Sequence, residues 1–136
     1  MRVMGLDVGS RRIGVALSDE SRRLALPLLT LERRSWRRDL AALLELVRAH
    51  QVDLIVVGYP LRLDGTAGES ARKMDAFITR LRGAGLQVAT WDERLSSAEA
   101  DRHLRSAGIS ATRRRGVTDR IAAALVLQSY LDAHPP

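Results

Sequence analysis

Cysteine is absent, which excludes a disulfide scaffold and any thiolate metal site. Histidine is sparse as well. His50, His103 and His134 are scattered along the chain, without the spacing that pairs two imidazoles on a zinc ion. No apolar run approaches the roughly 20 residues that a helical membrane span needs. The opening MRVMGLDVG reads as a strand rather than as the apolar core of a secretory signal. Repeats, low-complexity tracts and linkers are missing too. At 136 residues the chain has the usual size of one domain. A single domain over residues 1–136, with no membrane association and a cytoplasmic address, is therefore expected. Lysine is almost absent: of 22 basic residues only Lys73 is not arginine, against 16 acids and a net charge of +6. That surplus suits an anionic partner, because cationic side chains neutralise phosphates and release counterions. An arginine bias can equally reflect codon composition, so charge alone does not decide the matter.

What is present is a hydrophobic fraction of 46%, ordinary for a globular chain and too high for a disordered one. Residues 2–8 and 12–18 read as strands around the turn Gly9-Ser10-Arg11, a hairpin signal. A third strand is expected over 24–31, with Pro27 marking an edge or an irregularity. Leu40, Leu43, Leu44 and Val47 fall at helical spacing in 36–50, with Ser35 as N-cap. Residues 52–58 are nearly continuously apolar, as a strand buried on both faces should be. Thr66 and Glu69 form a capping box for a helix running to about Leu81, ended by Gly83 and Gly85. A strand over 86–91 follows, then a helix from Ser96 to about Ser106. Residues 108–116 are polar, basic and flanked by glycine, and are expected to form a loop. The last helix, about 118–132, carries Ile121, Leu125 and Leu131 on one side. The order β-β-β-α-β-α-β-α-α predicts an α/β fold. Its mixed sheet of about five strands, an antiparallel meander followed by parallel βαβ units, has helices on both faces. One hairpin-first mixed sheet of this kind is the RNase H-like fold.

Asp7 is the anomaly of the first strand, since a carboxylate among apolar neighbours is costly unless paired or bound to a cation. A turn cap or an arginine partner would satisfy it equally well. Asp92 and Glu93 lie just beyond the 86–91 strand, where open α/β sheets collect ligands. Side chains alternate along an extended backbone, so at most one of the two can join Asp7. Asp119, at the start of the last helix, has an ordinary role with the helix dipole, typically about 0.3–1 kcal/mol. Together, a strand acid, a strand-end acid and a helix acid form the set that hard cations such as Mg²⁺ or Mn²⁺ take.

Four stretches then fall in order along almost the whole chain: GLDVGSRRIGVALSD at 5–19, VVGYPLRLDGTAGE at 56–69, DERLSSAEA at 92–100 and VTDRIAAALVLQSYL at 117–131. In combination they resemble the YqgF/RuvX family of bacterial RNase H-like proteins, described as Holliday-junction resolvases and as pre-16S rRNA nucleases. The resemblance implies a metal-dependent nuclease, with Asp7, Glu93 and Asp119 as catalytic, metal-binding acids around two Mg²⁺ or Mn²⁺ ions. It is also what selects Glu93 over Asp92. Gly9, Ser10 and Arg11 would border the site, and the loop before the last helix would approach the substrate. Arg12, Arg94, Arg113, Arg114 and Arg115 are further candidates for phosphate contacts, which position a backbone without reading its sequence. Arg33, Arg34, Arg37 and Arg38 are expected to be a solvent-facing helix start.

Two positions depart from the family pattern. Pro60-Leu61-Arg62-Leu63 stands where Pro-Leu-Asn-Met is expected, and Arg115 stands where a lysine is frequent. Neither removes a carboxylate. RNA is the favoured partner, as precursor 16S rRNA in a ribosome precursor, and the protein would act as a monomer or homodimer. A four-way DNA junction is the alternative, and a non-catalytic RNA- or ribosome-associated module is another. Gly5–Ser10 also resembles the first phosphate loop of the sugar-kinase, actin and Hsp70 ATPases, which need two such domains.

Overall fold

The computed structural model describes residues 1–59, 68–92 and 111–136, and of residues 70 and 111–117 the backbone alone. The strands are β1 (Arg2–Val8), β2 (Arg12–Ser18), β3 (Ala25–Glu32), β4 (Val52–Tyr59) and β5 (Val88–Asp92). They form one sheet in the order β3-β2-β1-β4-β5. β1, β2 and β3 pair antiparallel, and β1, β4 and β5 pair parallel. The expected meander followed by parallel units is what forms.

The two-residue period of a strand divides the core in two. On β1, Met4, Leu6 and Val8 face a layer made by α1 (Trp36–Ala49) and α2 (Glu69–Gly83), among them Leu43, Phe77, Ile78 and Leu81. Val3 faces the other layer, where Ala123, Val126, Leu127 and Leu131 of α3 (Ala111–Ala133) cover the sheet. β4 is buried on both sides, Ile55 and Val57 toward the first layer and Val56 toward the second. Full burial of each such side chain contributes about 1.5–3 kcal/mol.

The last helix departs from expectation. Its buried residues are Ala122, Ala123, Val126, Leu127 and Leu131, whereas Ile121 and Leu125 are only half-buried. Small residues face the sheet because the helix lies very low on it. A Cβ on Gly5 would stand 2.7 Å from Leu127 Cβ and 3.0 Å from the Ala123 carbonyl oxygen. α3 also begins at Ala111, so residues 111–116 continue the helix rather than forming a loop. α2 begins at Glu69 with Gly68 as N-cap and no side-chain cap. Thr66, its expected capping partner, lies outside the described residues, as does the helix expected at 96–106. Ser35 caps α1 as expected, its side chain accepting from Arg38 N. Pro27 sits on the edge strand, where the β2–β3 register shifts between Val15 and Ala16. An edge tolerates the missing N–H.

The β2–β3 turn is tied by Asp19. Its carboxylate accepts from Arg23 N at 2.9 Å, Leu24 N at 3.2 Å and Ser21 Oγ at 2.7 Å. The backbone donation from Arg23 and then the Ser21 hydroxyl lower its pKa from the ordinary 3.8. A depressed folded-state value stabilises above the unfolded pKa, and that stabilisation is lost as pH falls through the folded one. Between pH 7 and pH 3 the native chain should accordingly lose more stability than Asp19→Ala does in denaturant titrations. Equal losses would remove Asp19 from the acid response.

Candidate active site at the carboxyl ends of the parallel strands

β1 and β2 bring Asp7 directly opposite Gly14. Residues directly opposed in an antiparallel pair point to the same face. Gly14 identifies that face, for a Cβ there would lie 1.9 Å from the Asp119 carbonyl oxygen and 2.8 Å from Arg120 N. The backbone of α3 at Asp119 and Arg120 is thus seated in the space a side chain would fill. With opposed Cβ atoms about 4.5–5.5 Å apart, the Asp7 Cβ is at most about 7 Å from the Asp119 backbone. Two carboxylate residues separated by 112 positions therefore bracket one glycine, and both are half-buried.

Asp119 has a cation beside it. Arg12, on the same face of β2, donates from Nε to Asp119 Oδ2 at 2.8 Å, with both side chains about a quarter exposed. The pair ties the helix to the sheet where the helix lies closest to it. Arg12→Ala should cost about 1 kcal/mol, a charge-assisted hydrogen bond discounted for partial exposure. The check is a lower denaturant midpoint at unchanged slope. An unchanged midpoint would show that the ion pair anchors nothing. Next to Asp119, Thr118 Oγ1 is buried with no hydrogen-bond partner among the described residues.

The turn after β1 is held from behind. Gly9 N donates to Arg12 O at 2.8 Å, and Arg33 N donates to Arg11 O at 2.8 Å. Arg33 Nη1 also donates to Gly9 O at 2.9 Å. Gly9, Ser10 and Arg11 are themselves exposed, so the turn is open to a ligand while its backbone is fixed. Arg33 corrects the expectation of a solvent-facing arginine cluster. Besides bracing the turn, its Nε lies 3.6 Å from the buried Asp39 Oδ2. The β2–β3 register, which pairs Arg12 with Glu32, is the signal that would have found it, because it sets residue 33 beside residue 11.

Asp92 ends β5 with the parity of Val88, which packs against the α1/α2 layer, while Trp91 packs with α3. Asp92 thus faces away from Asp7 and Asp119. Glu93 and Arg94 lie outside the described residues, and so do the side chains of Arg113, Arg114 and Arg115. Among the described residues no group of three or more His, Cys, Asp or Glu comes together as a metal site. The described part of the candidate set is thus Asp7 and Asp119. Their oxygen donors, in a chain without thiolates, suit Mg²⁺ or Mn²⁺.

An antiparallel hairpin meander continued by parallel strands, with helices on both faces and acids at the strand ends, defines an RNase H-like protein. Two solved structures share this architecture over 98% of the chain. Thermus thermophilus RuvC in complex with a Holliday junction substrate matches over 94% of its own chain, with a TM-score of 0.59 and 20% identity. The fowlpox virus Holliday junction resolvase matches over 99% of its chain, with a TM-score of 0.56 and 14% identity. Identities this low speak for the fold alone.

Residues 1–133 match the family described as RuvX: Holliday junction resolvase, and the chain belongs to that family. A relative from Syntrophus aciditrophicus, named "Putative pre-16S rRNA nuclease", is 52% identical over 98% of this chain and 89% of its own. Another of that name, from Anaeromyxobacter dehalogenans, is 47% identical over the whole of both chains. Membership in this family sets aside the ATPase reading of Gly5–Ser10. Among the described residues no helix is long and apolar enough to cross a membrane.

Proposed function

We propose that the chain is a divalent-metal-dependent nuclease that hydrolyses phosphodiester bonds of precursor 16S rRNA in the cytoplasm, with Asp7, Glu93 and Asp119 as its metal-binding acids. The observation that carries this is the convergence of Asp7 and Asp119 on one sheet face, around a glycine that lets the helix backbone come down between them. The relatives' names support RNA as substrate. Glu93 is included through the family resemblance, and because Asp92 is turned to the other face.

When bound, Mg²⁺ or Mn²⁺ ions would lower the pKa of an attacking water and stabilise charge on the phosphoryl oxygens. The chain's own residues would supply the rest. Asp7, fixed by strand pairing, and Asp119, fixed by the helix seat and Arg12, hold two oxygen ligands at set positions. The braced Gly9–Arg11 turn offers exposed backbone and the Arg11 guanidinium to the strand being cut. Arg12, Arg94 and Arg113 to Arg115 would add phosphate contacts that position without reading sequence.

A second reading, cleavage of four-way DNA junctions, is favoured by the family's description, and would call for a symmetric dimer presenting two sites. One assay separates the readings. Labelled single-stranded RNA, single-stranded DNA and a four-way junction are each incubated with the protein in Mn²⁺ or in chelator. Metal-dependent cutting of RNA is expected. Paired symmetric cuts in the junction alone would transfer the proposal to DNA. Binding without cleavage under any divalent metal would leave a binding module.

A further inference from the structure

On the opposite face of the sheet from Asp7 and Asp119, the structure holds a cleft of about 640 Å³ whose walls include Val8, Gly9 and Ser10. The turn that borders the candidate active site on one side therefore borders this cleft on the other. The remaining wall combines rings and cations. Lys73, Phe77 and Arg80 stand at i, i+4 and i+7 of α2, a spacing that places them on one helix face. Arg33 and Trp36 come from the junction of β3 with α1. Phe77 and Trp36 meet edge to face at 5.5 Å. The Arg33 guanidinium lies 5.5 Å from the Phe77 centroid, and that of Arg80 lies 5.2 Å from the Trp36 centroid.

The cleft is strongly cationic. Among the described residues no carboxylate lines it. Arg33 is partly balanced by Asp39, but among the described residues no ion pair engages Lys73 or Arg80. Asp75, on the same helix, accepts from the Tyr59 hydroxyl at 2.8 Å. That bond and the carboxylate's charge raise the phenol's pKa above its ordinary 10.0. Lys73 and Arg80 are exposed and Trp36 is half-buried, while Phe77 forms the floor. Planar groups beside uncompensated cations match one chemical class. Bases stack on aromatic rings and on arginine planes, while phosphates take the charge. A duplex, whose bases are already stacked and paired, cannot present one to the rings.

We propose that this cleft is a subsite for an unpaired nucleotide flanking the scissile bond, its base against the Trp36–Arg80 surface and its phosphate at Lys73 and Arg80. The strand would pass from the acids over the exposed Gly9–Arg11 turn and into the cleft. This rests on the nuclease reading and narrows it: the preferred substrate carries a single-stranded segment beside the cut.

Two of the chain's own probes report on the cleft. Trp91→Phe leaves Trp36 as the one tryptophan, and Lys73 is the one lysine. In an Asp7→Asn background, which keeps the strand uncut, a labelled single-stranded oligonucleotide is titrated in Mn²⁺ and followed by its anisotropy and by Trp36 emission. Emission should fall in step with anisotropy, and a blunt duplex or polyphosphate of equal charge should bind without that change. Lys73→Ala combined with Arg80→Ala should weaken oligonucleotide binding about 5- to 150-fold, the range of one lost base contact. If Trp91→Phe does not fold, protection of Lys73 from acylation in the natural sequence gives the same information. Binding that leaves both Trp36 and Lys73 unaffected overturns the subsite and leaves the nuclease reading intact. Equal quenching by duplex overturns the requirement for an unpaired nucleotide. Absence of both binding and metal-dependent cleavage overturns the nuclease reading, and this inference with it.

Discussion

Gly14→Ala should be the most damaging single-methyl change in the described part of the chain, losing about 3 kcal/mol or more of stability together with cleavage. Overpacking a core typically costs about 1–3 kcal/mol, because side chains shift to absorb the added volume. Here the obstacle is backbone, since the new Cβ would stand 1.9 Å from the Asp119 carbonyl oxygen. No rotamer change relieves that contact, so the helix must lift at Asp119. Lifting it displaces Asp119 from Asp7 and pulls on the Arg12 bond. A misplacement of about 1 Å in a catalytic constellation can cost about a hundredfold in rate. Gly83→Ala is the matching control. Nothing lies within 4 Å of a Cβ there and its φ is not positive, so alanine should stabilise by about 0.4–1 kcal/mol through the unfolded chain. Denaturant midpoints of opposite sign are the expected result. A Gly14→Ala protein as stable as the native one would mean that the helix is not seated as described.

Asp7→Asn should lower cleavage about a thousandfold or more while the fold and nucleic-acid binding persist. The substitution keeps shape and removes one charge, so it isolates what the carboxylate does. Losing a single electrostatic contact to a transition state already costs about 10²–10³ in rate. A carboxylate that would hold the metal itself should exceed that. A second readout does not depend on turnover. Metal that binds only the native state stabilises it by mass action, about 2.7 kcal/mol at a hundredfold excess over Kd. Mn²⁺ should therefore raise the melting temperature of the native sequence and have little effect on Asp7→Asn. A variant that cuts as fast as the native chain would sink the assignment. So would equal stabilisation of both by Mn²⁺.

The period-2 and period-3.6 patterns were enough to read β1, β2, β4 and α1 almost to the residue, because each has one strongly apolar face or run. They misplaced the inner face of α3, since pattern reading weights bulky residues such as Ile121 and Leu125. The true inner face is Ala122, Ala123, Val126, Leu127 and Leu131. The helix's close approach made Gly5 and Gly14 look like ordinary strand residues, although they decide where Asp119 goes. Asp7 stood out because a charge among apolar neighbours is conspicuous. Asp119 did not, because the sequence puts it in a first turn, where acids are common, whereas the helix begins eight residues earlier at Ala111. The choice between Asp92 and Glu93 comes from the family resemblance; strand parity puts Asp92 on the α1/α2 face, and Glu93 lies outside the described residues. Arg33 and the ring-lined cleft were invisible, since both depend on register and on contacts between elements far apart in the chain.

The glycine seat beneath the last helix also makes the molecule's tolerance to change lopsided. Toward the first two helices, Leu and Met are interchangeable in volume, and neighbouring side chains can adjust. Along the furrow of Gly5 and Gly14 there is no slack, and nothing larger than hydrogen fits. A saturation library should therefore show a narrow intolerant track running diagonally under that helix, with permissive ground on the other side of the sheet. Altered specificity would have to be sought in the loops and the cleft, never by remodelling the track itself.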